Sequence, residues 1–257
     1  MGGRLDHLFS LAGRTALVTG GGSGIGFAIA QALGLQGARL VLVGRNTAAL
    51  RDAVAKLVAQ GIDTGAVSAD LSARNGPAEA VVGAAGQGAR PDVLVNAAGV
   101  NLRRSFVEVS PEDFDYHMAI HLRAPFLLTQ LLAPAMAAKG WGRIVNIASL
   151  QSARAFPDSA PYGAAKGGAV QLTRAIAEAW SAHGVTCNAI APGFFPTALT
   201  AAVFNDPEKA ARNAAQTAIG RNGDLADLYG TTIFLASDAS AYVTGQTLYV
   251  DGGFTAK

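Results

Sequence analysis

Charge is scarce in this sequence: only 15% of the residues are Asp, Glu, Lys or Arg, and the net charge is +2. No basic cluster stands out, so a nucleic acid partner is not expected, because phosphate backbones are held by clustered lysine and arginine. Cysteine is scarcer still. The single Cys187 excludes an intramolecular disulfide framework and fits a reducing compartment. No stretch approaches the ~20 apolar residues that span a bilayer, so no membrane partner is expected either. Met1-Gly2-Gly3-Arg4 leads into mixed polar and apolar residues, not into the apolar core of a signal segment. Linkers, low-complexity tracts and fixed-period repeats are also missing. The expectation is a soluble, cytoplasmic chain folded as a single domain over residues 1–257.

Small and apolar residues are plentiful. Half of the 257 residues are apolar and 31 are glycine, which suits a sheet covered on both faces and argues against disorder. Strand-like runs at Thr15–Thr19, Arg39–Gly44, Asp63–Ala69, Asp92–Asn96, Gly142–Ala148, Val185–Ile190 and Gln246–Val250 alternate with helical ones. That pattern predicts an α/β fold with a doubly wound parallel sheet of about seven strands and helices on both faces. One helix opens at Gly24. A long one starts at Pro111, with Ser110 as N-cap and Glu112 and Asp113 beside the positive end of its dipole.

Between the first strand and its helix lies Thr19-Gly20-Gly21-Gly22-Ser23-Gly24-Ile25-Gly26. Glycines there let the backbone approach a phosphate at the helix N-terminus, where free N–H groups favour an anion. The spacing, Gly-x-x-x-Gly-x-Gly, is one residue wider than the usual dinucleotide fingerprint. The second strand ends Val43-Gly44-Arg45-Asn46, with no carboxylate to hold the ribose hydroxyls of NAD. Arg45 suits the extra phosphate of NADP, with Asn46 as a further donor, so NADP is the expected cofactor.

Tyr162-Gly-Ala-Ala-Lys166 places a phenol and an ammonium on one helix face. A neighbouring ammonium favours the phenolate and is expected to bring the tyrosine toward a usable acid–base range. Alone, the pair is a pattern that chance supplies.

It does not stand alone. Thr19 to Gly26, Asp70-Leu71, Asn96-Ala97-Ala98-Gly99, Ser149, Tyr162 with Lys166, Asn188-Ala189-Ile190-Ala191-Pro192-Gly193 and Val250-Asp251-Gly252-Gly253 follow one another in register. In that order they resemble the short-chain dehydrogenase/reductase family over nearly the whole chain. The resemblance implies a Rossmann-type domain, usually assembled as a homotetramer. It implies that Gly20, Ser23, Gly24, Ile25 and Gly26 hold the cofactor phosphates and that Asp70 and Leu71 meet the adenine. Asn96, Ala97 and Gly99 would reach the adjoining ribose, and Pro192, Gly193, Phe195 and Thr197 the nicotinamide end. Lys166 would bind the nicotinamide ribose, Ser149 would hold the substrate oxygen, and Tyr162 would pass its proton.

One position departs from the family pattern. His121, in Ile120-His121-Leu122, stands where an asparagine supporting the lysine is usual. An imidazole can hold the same partner, can titrate near physiological pH, or can simply pack. His117 and His121 also share the i, i+4 spacing of a chelating pair, but no third ligand is evident and no metal is expected.

Substrate clues are weaker. Leu8 to Arg14, Leu102-Arg103-Arg104 and Leu150-Gln151-Ser152 resemble the gluconate 5-dehydrogenase-like branch of the family. Arg103, Arg104 and Arg154 follow strand ends, where one of them can grip a carboxylate; Arg104 and Arg154, with Gln151 for a hydroxyl, are the substrate residues expected. Residues 194–220 read as a helical lid. The expected activity is an oxidoreductase that interconverts a secondary alcohol and a ketone on a small sugar acid or polyol. A 3-oxoacyl thioester reductase is the alternative, and a non-catalytic dinucleotide-binding sensor a more distant one.

Overall fold

A computed structural model describes residues 5–257; residues 1–4, read above for a leader, lie outside the described residues. Seven strands form one parallel sheet: β1 (Thr15–Thr19), β2 (Arg39–Gly44), β3 (Thr64–Ser68), β4 (Val93–Asn96), β5 (Gly142–Ile147), β6 (Val185–Pro192) and β7 (Thr247–Val250). Their order is β3-β2-β1-β4-β5-β6-β7. Six lie within a residue of the bounds read from the sequence. β6 runs two residues further because Ala191 and Pro192 still pair with Tyr249 and Val250 of β7.

The helices are α1 (Asp6–Phe9), α2 (Gly24–Leu35), α3 (Thr47–Val58), α4 (Gly76–Gly86), α5 (Pro111–Met118), α6 (Ala124–Ala138), α7 (Ala160–Trp180), α8 (Ala201–Phe204), α9 (Pro207–Gln216) and α10 (Tyr229–Ala236). Strand side chains alternate between the two faces, and the alternation divides the core. Ala16, Val18, Leu40, Leu42, Val93 and Val95 pack with Ile29, Leu33, Leu50, Leu57 and Leu235 of α2, α3 and α10. Leu17, Val41, Val43 and Leu94 pack with Ala80, Leu128, Leu132 and Ile176 of α4, α6 and α7. Cutting one of these buried leucines to alanine costs ~2–5 kcal/mol, so both layers are needed. Among the described residues no helix is long and apolar enough to cross a membrane.

Two local features place the site. The chain winds outward from β1 to β2 and β3, then returns to β4 on the other side of β1, leaving a crevice at the carboxyl ends of β1 and β4. The helix expected as one run from Pro111 is interrupted by a wide π turn at Ala119–Arg123. Pro125 has no N–H to give the carbonyl of His121, which accounts for the change of turn there. Ser110 caps the start as expected, its hydroxyl accepting from Asp113 N at 3.1 Å.

Candidate active site

β1 ends at Thr19, whose hydroxyl donates to Val95 O at 3.3 Å and accepts from Ala97 N and Ala98 N, each at 3.0 Å. The glycine turn then folds back tightly. Gly20 has φ +67°, and a Cβ there would meet Ala98 Cα at 2.9 Å; a Cβ on Gly26 would stand 2.3 Å from Gly20 O. Ser23, the N-cap of α2, makes no side-chain capping bond, so the first-turn N–H groups remain free for an anion. Gly20, Ser23, Gly24, Ile25 and Gly26 line a cavity of about 530 Å³ together with Ala97, Gly99, Pro192, Gly193, Phe195 and Thr197.

Arg45, Asn46, Asp70 and Leu71 follow the ends of β2 and β3 on the same sheet edge, outside this cavity. Arg45 is exposed, its guanidinium carbon 5.6 Å from the Tyr116 ring centre. Asn46 caps α3, its Oδ1 accepting from Ala49 N at 3.0 Å, which leaves its amide N–H groups free. Hydrogen bonds from the Ser72 hydroxyl and backbone hold the Asp70 carboxyl below its usual range, with Arg45 adding to the effect. Asn96 is turned away: its amide donates to Asn146 Oδ1 at 2.8 Å, and it lines a second, small cavity beneath the first. A turn without Cβ atoms, free helix N–H groups and an exposed arginine at the adenine side fit a phosphorylated dinucleotide.

Ser149, Tyr162 and Lys166 meet at the inner wall of the large cavity. Ser149 sits in a capping box: its Oγ accepts from Gln151 N at 3.1 Å and its N donates to Ser152 Oγ at 3.3 Å. The Ser152 hydroxyl in turn donates to Lys166 O at 2.8 Å, tying the serine turn to α7. Lys166 is buried, its Nζ donates to Ile147 O, and it lies 5.6 Å from the Tyr162 ring centre. Burial pulls the Lys166 pKa down to about 7. Burial also pushes the Tyr162 phenol above its ordinary value, against the opposing pull of the nearby Ser149 side chain and of the Arg103 charge. The expectation that the lysine lowers the tyrosine is corrected here. Desolvation disfavours the charged form of each group, and for Tyr162 it outweighs what the neighbouring charge and hydroxyl supply.

His121 is buried and meets the Tyr162 ring edge-on, 5.2 Å between centres. Its Nε2 lies 2.8 Å from Val100 O and 3.3 Å from Val100 N, contacts that call for opposite tautomers, and its Nδ1 is buried without a partner. Burial, with the Lys166 charge second, holds its pKa well below the ordinary value. The titrating role weighed from the sequence is therefore set aside, because this imidazole stays neutral across physiological pH.

Of the three arginines, only Arg103 lines the cavity. Arg104 is exposed and faces Asp113, Nε to Oδ2 3.4 Å. Arg154 lies over the Phe254 ring and donates to Phe254 O at 3.3 Å. Neither lines the cavity, each being engaged by another partner. Gln151 does line the cavity, and its Oε1 is buried without a partner. So is Oδ1 of Asn101, which the sequence reading missed; its place two residues past the Asn96 to Gly99 turn was the available signal.

A family model described as enoyl-(acyl carrier protein) reductase matches residues 20–255. The chain is 39% identical to a gluconate 5-dehydrogenase of Gluconobacter oxydans, covering 96% of this chain and 97% of that protein. It is 35% identical to a 5-keto-D-gluconate 5-reductase of Escherichia coli, covering 97% and 98% respectively. The structure of a gluconate 5-dehydrogenase from Burkholderia cenocepacia in complex with NADP and tartrate superposes with a TM-score of 0.93, at 35% identity over 99% of this chain and 100% of that one.

Proposed function

The chain belongs to the short-chain dehydrogenase/reductase family, acting on CH–OH groups with NAD(P), and from that premise we propose that it uses NADP to interconvert a sugar acid and its ketone. Gluconate and 5-ketogluconate are the proposed pair. The observation that carries this reading is the charge at the substrate end of the cavity. Arg103 and Lys166 line it, and no carboxylate does among the described residues. Among the described residues no carboxylate pairs with the Arg103 guanidinium, which invites one from a ligand, and the orphan acceptors of Asn101 and Gln151 invite hydroxyl donors. An anion bearing several hydroxyls meets both demands.

When bound, a nicotinamide would supply or take up the hydride. Tyr162 holds the proton that moves. In reduction, the phenol that burial keeps protonated donates to the forming alkoxide. In oxidation it takes the hydroxyl proton, and Lys166, with a pKa about 7, supplies the neighbouring charge that favours the phenolate. Ser149, fixed by its capping box, orients the reacting oxygen. Exposed Arg45, with no carboxylate in the chain at the end of β2 itself, supports NADP over NAD.

The same reading treats residues 1–257 as one domain, with 194–220 as a lid; the cavity-lining stretch 192–200 leads directly into α8 and α9. It includes a homotetramer, supported by exposed Phe114, Phe126 and Leu131 on α5 and α6. A cytoplasmic setting is supported by Cys187, whose buried thiol is pushed well above its ordinary pKa and stays unreactive. The deciding experiment compares kcat/KM for 5-ketogluconate, neutral polyols and 3-oxoacyl thioesters with NADPH and NADH. The sugar acid with NADPH is expected to lead by about tenfold or more. A thioester that outpaces every sugar acid would overturn the reading.

A further inference from the structure

Residues 97–105 form no regular structure, so the backbone of this loop lacks ladder or helix partners. Its anchors come from elsewhere. Arg104 N donates to Asp158 O at 3.1 Å. Leu102 N donates to Nε2 of His117 at 3.2 Å, while Nδ1 of the same ring lies 2.7 Å from Asp113 O, one turn back on α5. An N–H only donates and a carbonyl only accepts, so geometry fixes the His117 tautomer: Nδ1 protonated, Nε2 the acceptor. One turn on, His121 grips Val100, and the two rings stack at 6.1 Å with 28° between planes. Two histidines thus hold the loop at Val100 and Leu102, and Arg103 lies between two residues whose backbone N–H groups are tied.

We propose that His117 is a positioning residue for substrate recognition, fixing through Leu102 where the Arg103 guanidinium stands in the cavity. His117 is fully buried and does not line the cavity itself. An ordinary core histidine satisfies its own polar atoms. This one spends one nitrogen on its own helix and the other on a loop that has no other partner for that N–H. Removing it leaves a part-buried donor unpaired, and the loop is expected to shift to recover the bond. The inference rests on the reading that Arg103 takes the acid's carboxylate, so the test treats the two separately.

Steady-state kinetics with NADPH are measured on 5-ketogluconate and on a neutral hydroxyketone for wild type, Arg103→Ala, His117→Phe, His117→Gln and the double variant Arg103→Ala/His117→Phe. Phenylalanine keeps the ring stack and loses both nitrogens; glutamine restores an acceptor for Leu102 N. His117→Phe is expected to raise KM for the acid by about tenfold, the equivalent of one hydrogen bond, with kcat and the neutral ketone changed by less than about threefold. His117→Gln should recover most of that rise, and in the Arg103→Ala background His117→Phe should add almost nothing. If Arg103→Ala alone leaves the acid's KM unaltered, the functional reading fails and the proposal with it. If Arg103→Ala is selective but His117→Phe lowers kcat on both ketones, or changes neither KM, His117 merely holds the fold and only the proposal is overturned. Should His117→Phe fail to fold, His117→Ala replaces it: a KM for the acid raised about tenfold and largely recovered in His117→Gln supports the acceptor role, and an unchanged KM in His117→Ala overturns it.

Discussion

The two ends of the cavity are built from different materials. At the cofactor end the wall is backbone: a turn that closes because Gly20 and Gly26 carry no Cβ, against a helix start with free N–H groups. At the substrate end the wall is side chains on an irregular loop and a short 3-10 turn, held by His117, His121 and Ser152 from neighbouring helices and turns. A backbone-built site is specified by residues adjacent in sequence. A site built from side chains is specified by partners that only the fold brings near.

This contrast can be broken most forcefully at its two extremes. Gly26→Val drives side-chain atoms into Gly20 O and is expected to abolish NADPH binding by fluorescence titration, whereas Tyr162→Phe should bind NADPH normally and lose about 10²–10⁴ in kcat. A Tyr162→Phe variant with near-normal turnover would remove the proposed chemistry. Next in size is Arg45→Ala, expected to reduce the preference for NADPH over NADH by about 10- to 100-fold in kcat/KM, the worth of a charged hydrogen bond. Equal losses with both cofactors would mean that Arg45 does not read the extra phosphate.

Lys166→Met tests the cost of burying a charge between the two ends. In the unfolded chain the lysine titrates near its ordinary 10.5, and in the fold at about 7. Between those values the unfolded state binds the extra proton, so stability rises with pH across that window and levels off below it, by roughly 1 kcal/mol per pH unit. The methionine variant should be inactive yet more stable, with the gain in melting temperature largest at and below pH 7 and gone near pH 10. A gain independent of pH would point to packing instead. Smallest is His121→Asn: because His121 stays neutral, the variant should keep the shape of the wild-type pH–rate profile, and a displaced acidic limb would restore a titrating role.

The sheet was legible because its central strands are buried on both faces and therefore read as short, mostly apolar runs, as in Leu40–Val43 and Val185–Pro192. The glycine turn and the tyrosine–lysine spacing were legible for the same local reason. The arginines were not. Arg103 and Arg104 are neighbours of one residue type, and what separates them is Asp113 facing one and not the other. Arg154 is diverted by Phe254, a hundred residues along the chain. The direction of the Tyr162 shift was misread because Lys166 is visible in sequence while burial is not. His117 was read only as half of a chelating pair, although its spacing from His121 was the signal of a shared grip.

Thr19 has a consequence for timing. Its hydroxyl gives one hydrogen bond and takes two, leaving no capacity spare, and so it rivets the mouth of β1 to the mouth of β4. A crevice closed by such a rivet does not widen to admit a ligand. The lid proposed at 194–220 is then the flank expected to move, and turnover is expected to follow its opening and not any breathing of the strands.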